Sequence, residues 1–267
     1  RGSTRRLAQS TQYARQLAGS PSVINALSRS QLDEVGLTSR DIILINQIIG
    51  FVGFQARAIA VLQAAQGFPV RWIPGMPQQE EAPADLFVNP PGEWVTDIED
   101  PDLQYADDER QRRIASWQSL PGLGPLAPLL ACDPQLMAPL ETLLRQLSGN
   151  GTFGPQVALL TARTNGSATC FDAWLPHWQG EAAFGSHLRE GDQALHRWLG
   201  QHPRSRALVT AVQLLTRSPD RFSAAQLTPL GEYGLSAEQA IDLLTWSGLC
   251  GWMNRLKIAL GNVRQQT

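Results

Sequence analysis

Sliding the chain along itself by 198 positions, without a gap, brings Arg6 onto Arg204, Leu17 onto Leu215, Ser20-Pro21 onto Ser218-Pro219 and Gly36-Leu37 onto Gly234-Leu235. Gly50, Gly53 and Arg57 then meet Gly248, Gly251 and Arg255. Identities number about thirteen over residues 6–62, where ordinary composition gives roughly four. Such self-similarity predicts that one supersecondary unit appears at both ends of the chain, so the fold must accommodate two copies of it.

The unit is helical. Apolar residues recur at helical spacing through most of the 267 residues, and no alternating stretch of useful length interrupts them, which predicts an all-α fold. In the first copy the spacing predicts helices over 4–18, 22–35 and 40–66, stopped at Gly19-Ser20-Pro21, Gly36 and Gly67. Thr38 or Ser39 is the predicted cap of the third. Helical spacing resumes over 110–119, 134–147, 155–165, 168–178, 180–199, 203–217, 223–232 and 236–261. Between them lie seven prolines from Pro69 to Pro101 with acidic stretches at either end, which predicts an irregular linker packed locally by Trp72 and Trp94. The predicted organisation is the back half of one helical domain over 1–67, a Pro-rich acidic linker over 68–110 and a complete domain over 111–267. The second copy is preceded by about 90 residues of helix and the first by almost none, so the first reads as a domain whose front half is missing from the chain.

The sequence shared by the two copies is G-x-x-G-[FW]-x-x-R, in mid-helix, where each glycine costs about 1 kcal/mol against alanine. Close passage of another helix backbone accounts for such a pair, and so does close approach of a ligand. Arg57 and Arg255, in otherwise apolar helices, are expected to reach a carboxylate or the carbonyls of a helix end.

Charge and cysteine content exclude several function classes. Net charge is −2, and clustered cations of the kind that bind nucleic acid are absent. The most apolar stretch, 42–54, is interrupted by Asn46 and Gln47, so no membrane span is predicted. Cys132, Cys170 and Cys250 are odd in number and widely spaced, which predicts no disulfide framework and a reducing, cytoplasmic setting. His177, His187, His196 and His202 show no metal-ligand spacing, and no GxSxG, P-loop or GxGxxG is present. No metal and no cofactor is expected.

The segment best suited to chemistry is 155–178. An apolar helix ends at Asn165-Gly166, Ser167 is a plausible N-cap for the next, and Cys170 falls in its first turn, where unpaired N–H groups favour a thiolate. Cys170, Trp174 and His177 follow at i, i+4 and i+7, which puts His177 within reach as a base if the helix runs through Pro176. A free cysteine on an apolar helix face equally suits a small core residue.

The stretch N-G-S-A-T-C-F-D-A-W, 165–174, resembles the core of the AhpD-like, carboxymuconolactone decarboxylase superfamily, whose redox members carry N-G-C-x-x-C-x-x-x-H. The tail 206–261, with L-L-T-R-S-P and W-M-N-R-L-x-x-A-L-G, is similar to its peroxidase-related branch. Residues 5–67 resemble the same back half again, an arrangement known from tandem members. The resemblance implies an AhpD-like helical domain with a partial second copy. Of the family's active positions the first cysteine falls on Ser167, the second on Cys170, the histidine on Trp174 and the relay glutamate on Pro155. With Ser167 for the first thiol, the family's internal disulfide cannot form. The resemblance therefore implies a one-cysteine, thiol-dependent oxidoreductase acting on a peroxide or other small molecule, with an external thiol as reductant. Cys170 would be its nucleophile, Ser167 the stabiliser of the thiolate and His177 the base. The alternative is a catalytically inactive scaffold that binds a small molecule or a protein partner. Eight tryptophans with low surface charge, and the habit of the superfamily, imply a homo-oligomer.

Overall fold

The computed structural model describes residues 2–69, 81–88, 92–99, 107–147 and 151–264. Trp72 lies outside them. The described residues form the helices α1 (Gly2–Ala18), α2 (Ala26–Glu34), α3 (Ser39–Ala65), α4 (Asp108–Trp117), α5 (Ala127–Leu130), α6 (Pro134–Leu147) and α7 (Phe153–Asn165). They continue with α8 (Ala168–Trp174), α9 (Ala182–Glu190), α10 (Asp192–Leu199), α11 (Pro203–Arg217), α12 (Ala224–Glu232) and α13 (Ala237–Leu260). The class is all-α.

Local chemistry sets the helix starts. Asn25 begins α2 with a side chain that accepts from the Ser28 amide at 3.0 Å, so residues 22–24, expected to be helical, lie outside the helix. Ser223 and Gln226 form the matching box on α12. Thr38 with Asp41 starts α3 and Ser236 with Gln239 starts α13. Asn25 and Ser223, like Thr38 and Ser236, are 198 positions apart.

Three sequence expectations are corrected. Pro176 has no amide hydrogen to continue the ladder, so α8 stops at Trp174 and a 3-10 turn, Leu175–His177, follows. The single helix expected over 180–199 is two, because Gly191 takes φ of +126° between α9 and α10. The chain also contains strand. Within the expected linker, β1 (Glu93–Thr96) pairs antiparallel with β2 (Gly261–Arg264), Trp94 opposite Val263. Four-residue strands leave no readable alternation, and their partner lies far along the chain.

α3 packs along α13 at the centre. One glycine of each repeated pair sits at this crossing. A Cβ on Gly50 would lie 2.1 Å from the Trp252 ring, and one on Gly248 would meet Phe54 at 3.4 Å. The repeated arginines cross between the halves as well. Arg57 of α3 donates to the Thr216 carbonyl at the end of α11, and Arg255 of α13 donates to the Leu17 and Ala18 carbonyls at the end of α1, each at 3.2 Å. Both are buried and serve the helix-end carbonyls for which such arginines are suited.

By length and composition α3 is apolar enough to cross a membrane, with 39% of its most apolar stretch buried. The interrupting Asn46 and Gln47 point inward. Asn46 accepts from the Tyr13 hydroxyl at 3.0 Å, and Gln47 accepts from the Trp252 indole at 2.7 Å.

Candidate functional site

The wall behind Cys170 is α7, whose side chains from Gln156 to Asn165 are all buried. Arg163 uses its whole guanidinium to hold that wall to the rest. It donates to the carbonyls of Leu188 and Ala82 at 2.9 Å, pairs with Glu81 at 2.9 Å and lies over the Phe87 ring. Segment 81–88 is thereby fixed against α7, and Phe87 meets Phe171 of α8 edge-on at 5.5 Å.

Gly166, at φ of +83°, reverses the chain between α7 and α8. Ser167 follows as N-cap, but its side chain makes no capping bond; its hydroxyl is buried with no partner among the described residues. Cys170 is the third residue of α8 and is 4% exposed. The expected position in the first turn is therefore occupied, and the side chain is enclosed. Asp172, further along α8, pairs with Arg189 at 2.9 Å; burial pushes its carboxyl up and Arg189 opposes that.

A cavity of about 470 Å³ opens beside the first turn of α8. Ser167, Thr169 and Asp172 line it from that helix, Lys257 from α13 and Trp94 from β1. Lys257 is the charged side chain of this wall that the sequence did not single out. It is 4% exposed, its ammonium lies over the Trp94 ring at 4.3 Å, and burial pushes its pKa from the ordinary 10.5 down to about 8, against an opposing pull from Cys170. The available signal was one lysine in the last turn of a long apolar stretch, W-M-N-R-L-K-I-A-L.

His177 is elsewhere. It is exposed and lines a second cavity, of about 600 Å³, with Gln156, Trp174, Trp178 and Trp246, and its ring meets Trp174 edge-on at 5.7 Å. Ser167 and His177 therefore open onto different cavities, and Cys170 lines neither of these two. Trp174 packs on Trp246 of α13 with ring centroids 5.6 Å apart. His202 stacks on Trp198 and approaches Glu181 at 3.3 Å, and no group of His, Cys, Asp and Glu able to hold a metal is found among the described residues.

Cys250, on α13, is buried and its thiol is pushed well up, by burial first and by Cys170 second. Set against protein-family models, curated proteins and solved structures, the chain finds no match.

Proposed function

We propose that the chain is a thiol-dependent oxidoreductase of the AhpD-like, peroxidase-related class, built on a duplicated helical unit, with Cys170 as its nucleophile. The duplication is supported by caps and glycines that recur 198 positions apart and by arginines that serve each other's half. The observation that carries the chemistry is the buried Lys257 ammonium, held over the Trp94 ring at the wall of the 470 Å³ cavity that opens beside the first turn of α8, the turn that carries Cys170. With an amine near pKa 8, Lys257 takes over the proton-handling role that the sequence assigned to His177.

In the proposed cycle the Cys170 thiolate attacks one oxygen of a hydroperoxide. The S–O bond forms, the O–O bond breaks, and the leaving oxygen takes a proton from the Lys257 ammonium to depart as alcohol or water. The sulfenic acid condenses with an external thiol to a mixed disulfide and water, and a second external thiol releases Cys170. The unpartnered Ser167 hydroxyl is available as a donor at this wall. Three free thiols suit a reducing, cytoplasmic setting.

Cys170→Ser is expected to abolish hydroperoxide reduction driven by dithiothreitol, while Cys132→Ser retains it. Undiminished turnover in the Cys170 variant would overturn the reading. A non-catalytic reading is favoured by the cavity itself, whose wall holds a buried cation and a buried hydroxyl. On that reading the chain binds a small molecule without turnover, and Cys170→Ser leaves binding and biological phenotype intact.

A further inference from the structure

Two contacts fix how α8 and its approach lie against α13. At one end Trp174 packs on Trp246, with centroids 5.6 Å apart. At the other Asn165, the last residue of α7 just before the Gly166 reversal, donates from its side-chain amide to the side-chain oxygen of Asn254 at 3.1 Å. The sequence numbers run in opposite directions between these anchors, so this stretch is antiparallel to α13. Cys170 lies one helical turn before Trp174, and Cys250 lies one turn after Trp246 and one turn before Asn254. The two thiols therefore occupy the same level of one buried helix interface. A Cys–Cys bridge requires Cα atoms about 4.4–6.8 Å apart.

The identity of the residue at 250 points the same way. Its counterpart 198 positions earlier is Val52 on α3, which no α8 covers and which is exposed. A cysteine stands only in the half where another thiol faces it. The rise of the Cys250 thiol in response to Cys170 agrees with that proximity.

We infer that Cys170 and Cys250 are a dithiol pair that closes reversibly into an intrachain disulfide, Cys250 serving as the resolving thiol in place of the one that Ser167 lacks. The inference rests on the thiol-oxidoreductase reading for its oxidant, a hydroperoxide, and puts Cys250 in the place that reading gives to the first external thiol. In the first step Cys170 forms an S–O bond, the O–O bond breaks and an alcohol leaves. In the second the Cys250 sulfur attacks the sulfenic sulfur, the S–S bond forms, the S–O bond breaks and hydroxide leaves with the Cys250 proton as water. Two thiols lose two electrons and one peroxide gains them. An external dithiol restores the pair by exchange.

The test is peptide mapping of the whole chain. The native protein is treated in parallel with one equivalent of hydrogen peroxide or of diamide, a thiol oxidant that needs no sulfenic acid, then alkylated in denaturant and digested. A further peroxide arm contains dimedone. The expected result is loss of two of the three alkylatable thiols, a peptide linking Cys170 to Cys250, an alkylated Cys132 and full reversal by dithiothreitol. A linked peptide with diamide but no reaction with peroxide supports the pair and overturns the peroxide reading. A dimedone adduct on Cys170 with no linked peptide in either oxidant overturns the pair and leaves the peroxide reading standing. No change at either cysteine with either oxidant overturns both.

Discussion

Lys257 holds an ammonium against an indole ring in a largely apolar wall, and burial makes its protonation a pH-dependent cost to this fold. Its pKa is about 8 folded and 10.5 by ordinary standards, so between those values the unfolded chain binds more protons than the folded one. Stability must then rise with pH across that window; the penalty is fully present below pH 8 and gone above 10.5. The size is on the order of 3 kcal/mol. Urea unfolding of wild type and Lys257→Met at pH 7 and pH 9.5 is expected to show the wild type gaining on the variant as pH rises; parallel curves would show that Lys257 is not strained by burial. Ser167 and Cys170 were legible as a helix start with a thiol in its first turn, because caps and helical position are local properties. Lys257 was not, because its significance comes from Trp94, which reaches it across 163 positions and donates to its carbonyl at 2.9 Å. His177 lines a cavity that neither Ser167 nor Cys170 lines, for a local reason: Pro176 ends α8 and converts the next turn to 3-10.

Glycine positions differ by what surrounds the helix that carries them. Gly50 sits where α3 meets Trp252, and Gly50→Ala forces a methyl into the indole ring. The expected cost is about 1–3 kcal/mol, because overpacking moves side chain or backbone. Gly231 is in α12 with nothing within 4 Å of an added Cβ, so Gly231→Ala is expected to stabilise by roughly 0.5–1 kcal/mol through helix propensity. Thermal unfolding of both variants checks this, and equal shifts would mean that the α3–α13 crossing is looser than described. The crossing was legible only in outline. A pair of glycines three apart announced a close neighbour, but which ring filled the space is a long-range fact. Helix starts at Thr38, Ser223 and Ser236 were readable because a capping side chain bonds within three residues. The β1–β2 pair was not, since its hydrogen bonds join segments that no local pattern links.

Over the whole molecule the two long helices are treated unequally. On α3 the side chains of Leu44, Ile48, Phe51, Val52, Ile59 and Leu62 form an exposed apolar stripe. The counterparts of Ile48, Phe51, Val52, Ile59 and Leu62 on α13 are Trp246, Leu249, Cys250, Lys257 and Leu260, all buried. A stripe of this kind is far from the scattered apolar residues of an ordinary surface. Self-association through α3 is therefore expected at micromolar concentration, and Ile48→Glu with Ile59→Glu is expected to give a monomer with unchanged far-ultraviolet circular dichroism. Sedimentation of the wild type as a monomer would refute it.

The reciprocal arginines carry a consequence for how the chain comes apart. Arg57 closes the end of α11 and Arg255 closes the end of α1, so opening either half strips the carbonyl partners from the other's helix. A buried guanidinium without acceptors, and helix-end carbonyls without donors, each cost more than the bond itself contributed. An intermediate in which one end alone is folded is therefore expected to lie high in free energy, and coincident thermal melts by near- and far-ultraviolet circular dichroism would check it. Heat and denaturant thus meet one cooperative transition rather than two, even though the sequence reads as two copies of a single unit.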